Sequence, residues 1–276
     1  MCSSDLGKVM IVGGSENFVG AAALAAYSSL KSGVGLATVA APTDVTSAIV
    51  SIIPEVTLLN LPMKKSGEID GWCSAREIYQ QLAGYSALLI GCGMGMSNEA
   101  RLLFSNLLLS PIDIPVPTVI DADGLNMLST HYRWWDRLPK DCVLTPHPGE
   151  MSRMTRISVE KIQNNRLEIA KEFSGKWDQI LVLKGANTVV ALPNGESWIS
   201  DIVTPSLSSA GTGDVLAGLI SGLIAQGLDT KDAAISGVYI HGVAGEIMGK
   251  KIGDSGTLAS DLLSEIPLVM SEIRNS

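Results

Sequence analysis

A chain of 276 residues, 46% apolar and 17% charged, can bury a sizeable core and fits a sheet covered on both faces rather than a disordered or fibrous chain. Its formal net charge of −8, with no run of Lys or Arg, argues against a general nucleic-acid binder, which needs clustered cations to displace phosphate counterions. The longest apolar stretches, such as Val215–Leu228, fall short of the roughly 18 residues a membrane span requires, so neither nucleic acid nor membrane is an expected partner.

The opening "MCSSDLGK" lacks the basic end and apolar core of a signal peptide. Cys2, Cys73, Cys92 and Cys142 show no CxxC pair and no His partner at metal spacing. A reducing, cytoplasmic setting is expected, without zinc or disulfides. Six strand-like runs follow in order: "KVMIVGGS" (8–15), "LATVAAP" (36–42), "ALLIGCG" (87–93), "PTVIDADG" (117–124), "CVLTPHPGE" (142–150) and "ILVLKG" (180–185). Helical patterns occupy 19–32, 98–109, 158–173, 214–226 and 231–249. In the first of these, Gly20 and a run of alanines suit close packing. Near-continuous apolar strands alternating with helices predict a doubly wound α/β layer sandwich with a parallel sheet. "TVVALPNGESWIS" (188–200) reads as a hairpin about Pro193-Asn194-Gly195, placing antiparallel strands late in the sheet. No linker or repeat interrupts the chain, so 1–276 reads as a single domain.

Ligands of open α/β sheets bind outside the carboxyl ends of the strands. "GGS", "GCGMG", "DADG", "TPHPGE" and "KGANT" all fall there. "SAGTGDVL" (209–216) opens a helix after two glycines, which lets an anion approach the free amides of the first turn. Asp214 has two open readings: a base beside a phosphate site, able to accept the proton of an attacking hydroxyl, or a first-turn acid that complements the helix dipole. "TPHPGE" is a rigid loop that can fix His147 and Glu150. Lys184 is either a phosphate ligand or a surface lysine, Asp121 and Asp123 either line a pocket or make turns, and His241 reads as packing or a helix contact. The three glycines of "GCGMG" do not form a dinucleotide fingerprint.

In this order, "VGGS…GAAALAA…KSGVGLATV", "IGCGMG", "DADGLN", "LTPHPGEM", "LKGANT", "AGTGDVLAG" and "HGVAGE…ASDLL…IP" resemble the ADP/ATP-dependent NAD(P)H-hydrate dehydratases of the ribokinase-like superfamily. The likeness runs from about Lys8 to Pro267. It implies a three-layer α/β/α sandwich with a central, mostly parallel sheet and a late β-hairpin. It implies that ADP or ATP, with Mg²⁺, phosphorylates the C6 hydroxyl of hydrated NADH or NADPH, and that phosphate is then eliminated to restore the cofactor. It makes Asp214 the catalytic base and Ala210, Gly211, Thr212 and Gly213 the anion hole. Ala21, Gly93, His147 and Asp214 match positions that bind the hydrated cofactor, and Lys184, Gly185, Ala186, Asn187, Thr188 and Gly213 match positions around the nucleotide. Glu150 is the implied metal-organising residue, and a homo-oligomer, with a tetramer as one form, is implied. "DIVTPSLSSAGTGD" departs from the resemblance in lacking the Gly-Asn and extra glycine frequent in bacterial relatives; Pro205 and Ser209 stand in that region. The family's leading helix and the epimerase domain fused to many relatives are not expected in this chain. Two other readings remain open from the residues: a small-molecule kinase of the same superfamily acting on a vitamin precursor, and a nucleotide-binding regulatory protein without catalysis.

Overall fold

The computed structural model describes residues 6–253 and 255–275; Cys2 and all of "MCSSDL" but Leu6 lie outside the described residues. β1 (Lys8–Val12) leads to α1 (Val19–Lys31), β2 (Leu36–Ala41) to α2 (Thr43–Ile52), β3 (Thr57–Asn60) to α3 (Gly71–Leu82) and β4 (Ala87–Ile90) to α4 (Asn98–Leu108). β5 (Thr118–Ile120) leads to α5 (Asp123–Leu128), and β6 (Cys142–Leu144) to α6 (Pro148–Thr155), α7 (Val159–Asn164) and α8 (Arg166–Trp177). After β7 (Ile180–Leu183), β8 (Val189–Ala191) and β9 (Ser197–Ile199) come α9 (Thr212–Ala225), α10 (Thr230–Ile252) and α11 (Leu262–Asn275). No described helix is long and apolar enough to cross a membrane.

The strands form one sheet in the order β3-β2-β1-β4-β5-β6-β7-β8-β9. Pairing is parallel as far as β7 and antiparallel for β7–β8 and β8–β9, which is the expected parallel sheet with its late hairpin. Gly195 takes φ +90° in the turn, and Asn194 Oδ1 accepts from the Glu196 amide at 3.0 Å. Side chains alternate across the sheet because the strand period is two. Val9 and Ile11 pack into one core with α1, α2, α9, α10 and α11, while Met10 and Val12 pack into a second core with α3 to α8. These are the three layers.

Small side chains let α9 lie unusually near α1. A Cβ on Gly218 would sit 2.1 Å from Ala25 O, and the Ser28 and Ser29 hydroxyls donate to Val215 O (2.6 Å) and Gly218 O (2.9 Å). The alanines of α1 therefore serve packing, and that packing fixes where the first turn of α9 stands.

Six elements are absent from the sequence reading: α2, β3, α3, α5, α6 and α11. β3 is an edge strand whose only buried residue is Leu59, so it carries no apolar run. α11 holds Pro267 in its interior, a residue that reads as a break. The helix expected over 158–173 divides at Asn165 (φ −139°, ψ 41°) into α7 and α8. The one expected over 231–249 runs from Thr230 to Ile252.

Candidate active site

The carboxyl ends of β4, β5 and β7 deliver Cys92, Asp121 and Lys184, and the start of α9 delivers Asp214. Gly91 adopts φ +122°, and a Cβ there would lie 2.0 Å from Asp121 O. The loops after β4 and β5 are thus pressed together, which sets Cys92 beside Asp121. Cys92 Sγ and one carboxylate oxygen each from Asp121 and Asp214 lie within 4.8 Å of one another. Lys184 Nζ donates to Asp121 Oδ1 at 2.6 Å, with the two side chains only 16% and 2% exposed.

Burial and the Asp121 charge push Asp214 up to about 6, against the opposing pull of the Cys92 thiol hydrogen bond and the Lys184 cation. Burial, then the charges of Asp214 and Asp121, hold the Cys92 thiol well above its usual range, so it stays protonated. Burial opposes the Lys184 charge, yet Asp121 and Glu150 outweigh it and raise that ammonium above its ordinary value.

Gly211, whose φ of +91° is the left-handed conformation, is the N-cap of helix α9, and no side chain caps its first turn. The Thr212 hydroxyl donates back to Leu207 O (2.8 Å) and Ser209 O (2.9 Å), fixing the approach loop. A Cβ on Gly213 would sit 3.1 Å from Lys184 Nζ. Uncapped amides and a buried ammonium therefore face one small space, a cradle for an anion.

Two cavities flank this cluster along the sheet. One, of about 580 Å³, lies on the β6 to β9 side and is lined by His147, Lys184, Gly185, Ala186, Thr188 and Gly213 among others. The second, of about 490 Å³, lies on the β1 to β4 side and includes Gly13, Gly14, Ser15, Val19 and Met94. In strand order the acid–lysine cluster stands between them.

"TPHPGE" runs from loop into helix: Thr145, Pro146 and His147 lie before α6, and Pro148, Gly149 and Glu150 open it. His147 is its N-cap: Nδ1 accepts from the amides of Gly149 (2.9 Å) and Glu150 (3.4 Å), and the His147 amide donates to Glu150 Oε2 at 2.8 Å. Sequence reasoning missed this box because the motif is usually written with Ser or Thr at the cap. Burial, then Lys184 and Arg153, lowers His147 below its usual value, while burial pushes Glu150 up to about 7.

Ala21 and Gly93 come together, a Cβ on Gly93 being 2.9 Å from Ala21 Cβ, and Gly93 O accepts from Ser15 at 2.8 Å. Ala210 directly precedes Gly211 at the mouth of α9. Asn187 is exposed, donates to Ser200 O at 3.1 Å and is not among the residues lining the larger flanking cavity. Asp123, the first residue of α5, ties the loop after β5 to the loop after β4 by accepting from the Gly95 amide at 2.8 Å. Asp121 differs from its weaker reading and stands at the centre of the cluster, while His241 is the expected buried helix contact, against the Thr212 backbone at the start of α9, and also lines the cavity. Only the fold could reveal these contacts, since the partners are remote in sequence.

A family model described as NAD(P)H-hydrate dehydratase matches residues 9–268. The chain is 39% identical over 267 residues to a bifunctional NAD(P)H-hydrate repair enzyme of Moorella thermoacetica, covering 97% of this chain and 50% of that protein. The chain thus spans about half the length of the bifunctional relatives. It is 32% identical to an ADP-dependent (S)-NAD(P)H-hydrate dehydratase of Bacillus subtilis, covering 95% of this chain and 88% of that one. A solved B. subtilis ADP/ATP-dependent NAD(P)H-hydrate dehydratase, co-crystallised with ATP and Mg²⁺, superposes with a TM-score of 0.83 at 28% identity over 99% of this chain and 91% of that one. A ribokinase-like superfamily protein from Enterococcus faecalis shares the fold, with a TM-score of 0.84 at 23% identity over 99% and 89% of the two chains.

Proposed function

The chain belongs to the NAD(P)H-hydrate dehydratase family, and we propose that it uses ADP or ATP to dehydrate (S)-NADH-hydrate or (S)-NADPH-hydrate back to the reduced cofactor. Hydroxide is a poor leaving group and a phosphate monoester a good one, so phosphorylation must come first. The observation that carries this reading is Asp214, largely buried at an uncapped helix mouth between two cavities, with the Lys184 ammonium close by.

The nucleotide takes the cavity lined by His147, Lys184, Gly185, Ala186 and Thr188, and the hydrated nicotinamide takes the side of Ala21 and Gly93. Asp214 accepts the proton of the C6 hydroxyl as its oxygen attacks the terminal phosphorus; the phosphoric anhydride bond breaks and AMP or ADP leaves. The main-chain amides of residues 210–213 and the Lys184 ammonium hold the moving phosphoryl group. One preorganised donor of this kind is worth roughly 3–4 kcal/mol in acyl transfer. The ring nitrogen then expels phosphate from C6, and loss of a C5 proton restores the double bond.

The donor set fits Mg²⁺, which favours carboxylate and phosphate oxygens and keeps several waters. Glu150, through water, and the second oxygen of Asp121 are the groups that would hold it; the protonated Cys92 thiol offers no competing thiolate. Mg²⁺ bound with the nucleotide supplies neutralisation of phosphate charge. That residues 1–276 form a single domain belongs to the same proposal and is supported by their one continuous sheet; homo-oligomeric organisation rests on the family resemblance, and sedimentation of the purified chain tests it.

Incubation with hydrated NADH, Mg²⁺ and each nucleotide in turn tests the function. Recovery of the near-ultraviolet absorbance of reduced nicotinamide, with one inorganic phosphate per turnover, is expected. A stable phosphorylated product without recovered absorbance would instead mark a kinase.

A further inference from the structure

Arg166 is the first residue of α8, and its guanidinium reaches the end of β7. Nη2 donates to Leu183 O at 2.7 Å, and Nη1 donates to Gln163 Oε1 at 2.7 Å. The group also lies against Gly185, where a Cβ would stand 3.1 Å from Nη1 and 3.3 Å from Nη2. Arg166 therefore holds the residue before Lys184 and the residue after it. A third hold on the same turn is the Lys184 amide, which donates to Pro146 O at 2.9 Å.

Nothing in α8 itself accounts for a cation at this place. The positive end of the helix dipole disfavours one in the first turn. Burial disfavours the charge as well and lowers the guanidinium below its ordinary value. Among the described residues no carboxylate forms an ion pair with it. A charge kept at such cost without a counter-ion points to a duty outside its own helix, and its contacts say which. Arg166 is not among the residues lining the larger cavity, whereas Lys184, Gly185 and Thr188 are, so it acts through them. Gly185 has φ +140°, and Thr188 Oγ1 donates to Gly185 O at 2.9 Å; a shift at Gly185 is therefore passed on to Thr188. A lysine has one nitrogen and cannot span these contacts.

We propose that Arg166 is a positioning residue for the phosphoryl donor: it fixes the end of β7 so that Lys184, Gly185 and Thr188 stand in place before the nucleotide arrives. This rests on the nucleotide reading of the cavity. The hydrated cofactor, on the other side of the acid–lysine cluster, does not depend on it.

The test compares the wild type with Arg166→Met, which keeps an apolar stem without donors, and Arg166→Lys, which keeps the charge on a single nitrogen. KM for the nucleotide, ADP or ATP according to which supports turnover, is read at saturating hydrated NADH, and KM for hydrated NADH at saturating nucleotide. Calorimetry gives the nucleotide Kd without hydrated cofactor, and thermal unfolding gives the melting temperature. Arg166→Met is expected to raise the nucleotide KM and Kd together, roughly five- to tenfold, the effect of about one lost hydrogen bond. KM for hydrated NADH should not move, and Arg166→Lys should fall between the wild type and Arg166→Met. A merely structural role would lower the melting temperature and leave both KM values unchanged, and that result would overturn the proposal. So would an equal rise in both KM values, or a fall in kcat with the nucleotide KM unchanged. If Arg166→Met does not fold, Arg166→Lys decides on the same pair of KM values. A wild type that neither binds nor uses either nucleotide would strike the reading of the cavity itself, a result distinct from nucleotide use that is indifferent to Arg166.

Discussion

Lys184 Nζ rests 2.6 Å from Asp121 Oδ1, the lysine at the end of β7 and the aspartate at the end of β5, two places apart in the sheet. Removing one member of a buried pair leaves the other charge uncompensated, typically at a cost of about 3–5 kcal/mol. Lys184→Met should lower the melting temperature and kcat/KM together. The double variant Lys184→Met with Asp121→Asn should recover most of the stability and none of the turnover, as thermal unfolding and steady-state kinetics would show. Recovery of turnover in the double variant would assign Lys184 to structure alone.

Asp214→Asn should abolish turnover while nucleotide binding persists by calorimetry. It should also stabilise the ligand-free protein. The folded pKa of about 6 lies above the ordinary 3.8, so the ionised carboxylate opposes folding. That cost is absent below 3.8, grows between 3.8 and about 6, and is complete above. The variant escapes it, gaining on the order of 1–3 kcal/mol at pH 7.5 and nothing at pH 3.5. Denaturant melts at the two pH values provide the comparison.

The rate should follow the same titration. A base must be deprotonated, so kcat/KM should fall as pH drops through about 6. The Asp121 charge raises Asp214 and the Cys92 thiol lowers it. Asp121→Asn should therefore move the acid limb to lower pH and Cys92→Ala should move it to higher pH. Shifts of the same sign would contradict the assignment of Asp214 as the titrating base.

His147 has two duties that substitution can separate. Loss of its cap in His147→Ala should cost about 1 kcal/mol along with turnover. His147→Asn supplies an equally good cap, so stability should return. If turnover returns as well, the imidazole has no part in holding either the nucleotide or the hydrated cofactor.

The contact between α1 and α9 sets the position of the anion cradle. Gly218→Ala drives a methyl group to within 2.1 Å of Ala25 O, and overpacking of this kind costs roughly 1–3 kcal/mol. A lower melting temperature and a raised nucleotide KM are expected together, because the helix must shift along with its first turn.

The sequence by itself determined the strand–loop–helix rhythm, the late hairpin and the helix mouth at Gly211–Asp214. These depend on a few consecutive residues: the period of apolar side chains, the freedom of a glycine at φ +91°, and amides that the first turn of any helix leaves free. It could not reveal β3, an edge strand without an apolar run, or α11, whose proline reads as a stop. Nor could it distinguish Asp121 as a turn residue from Asp121 as the partner of Lys184, 63 positions away. Strand order decides that distance, and burial decides the charge states around it, so the raised Asp214 and the protonated Cys92 exist only once the chain has packed.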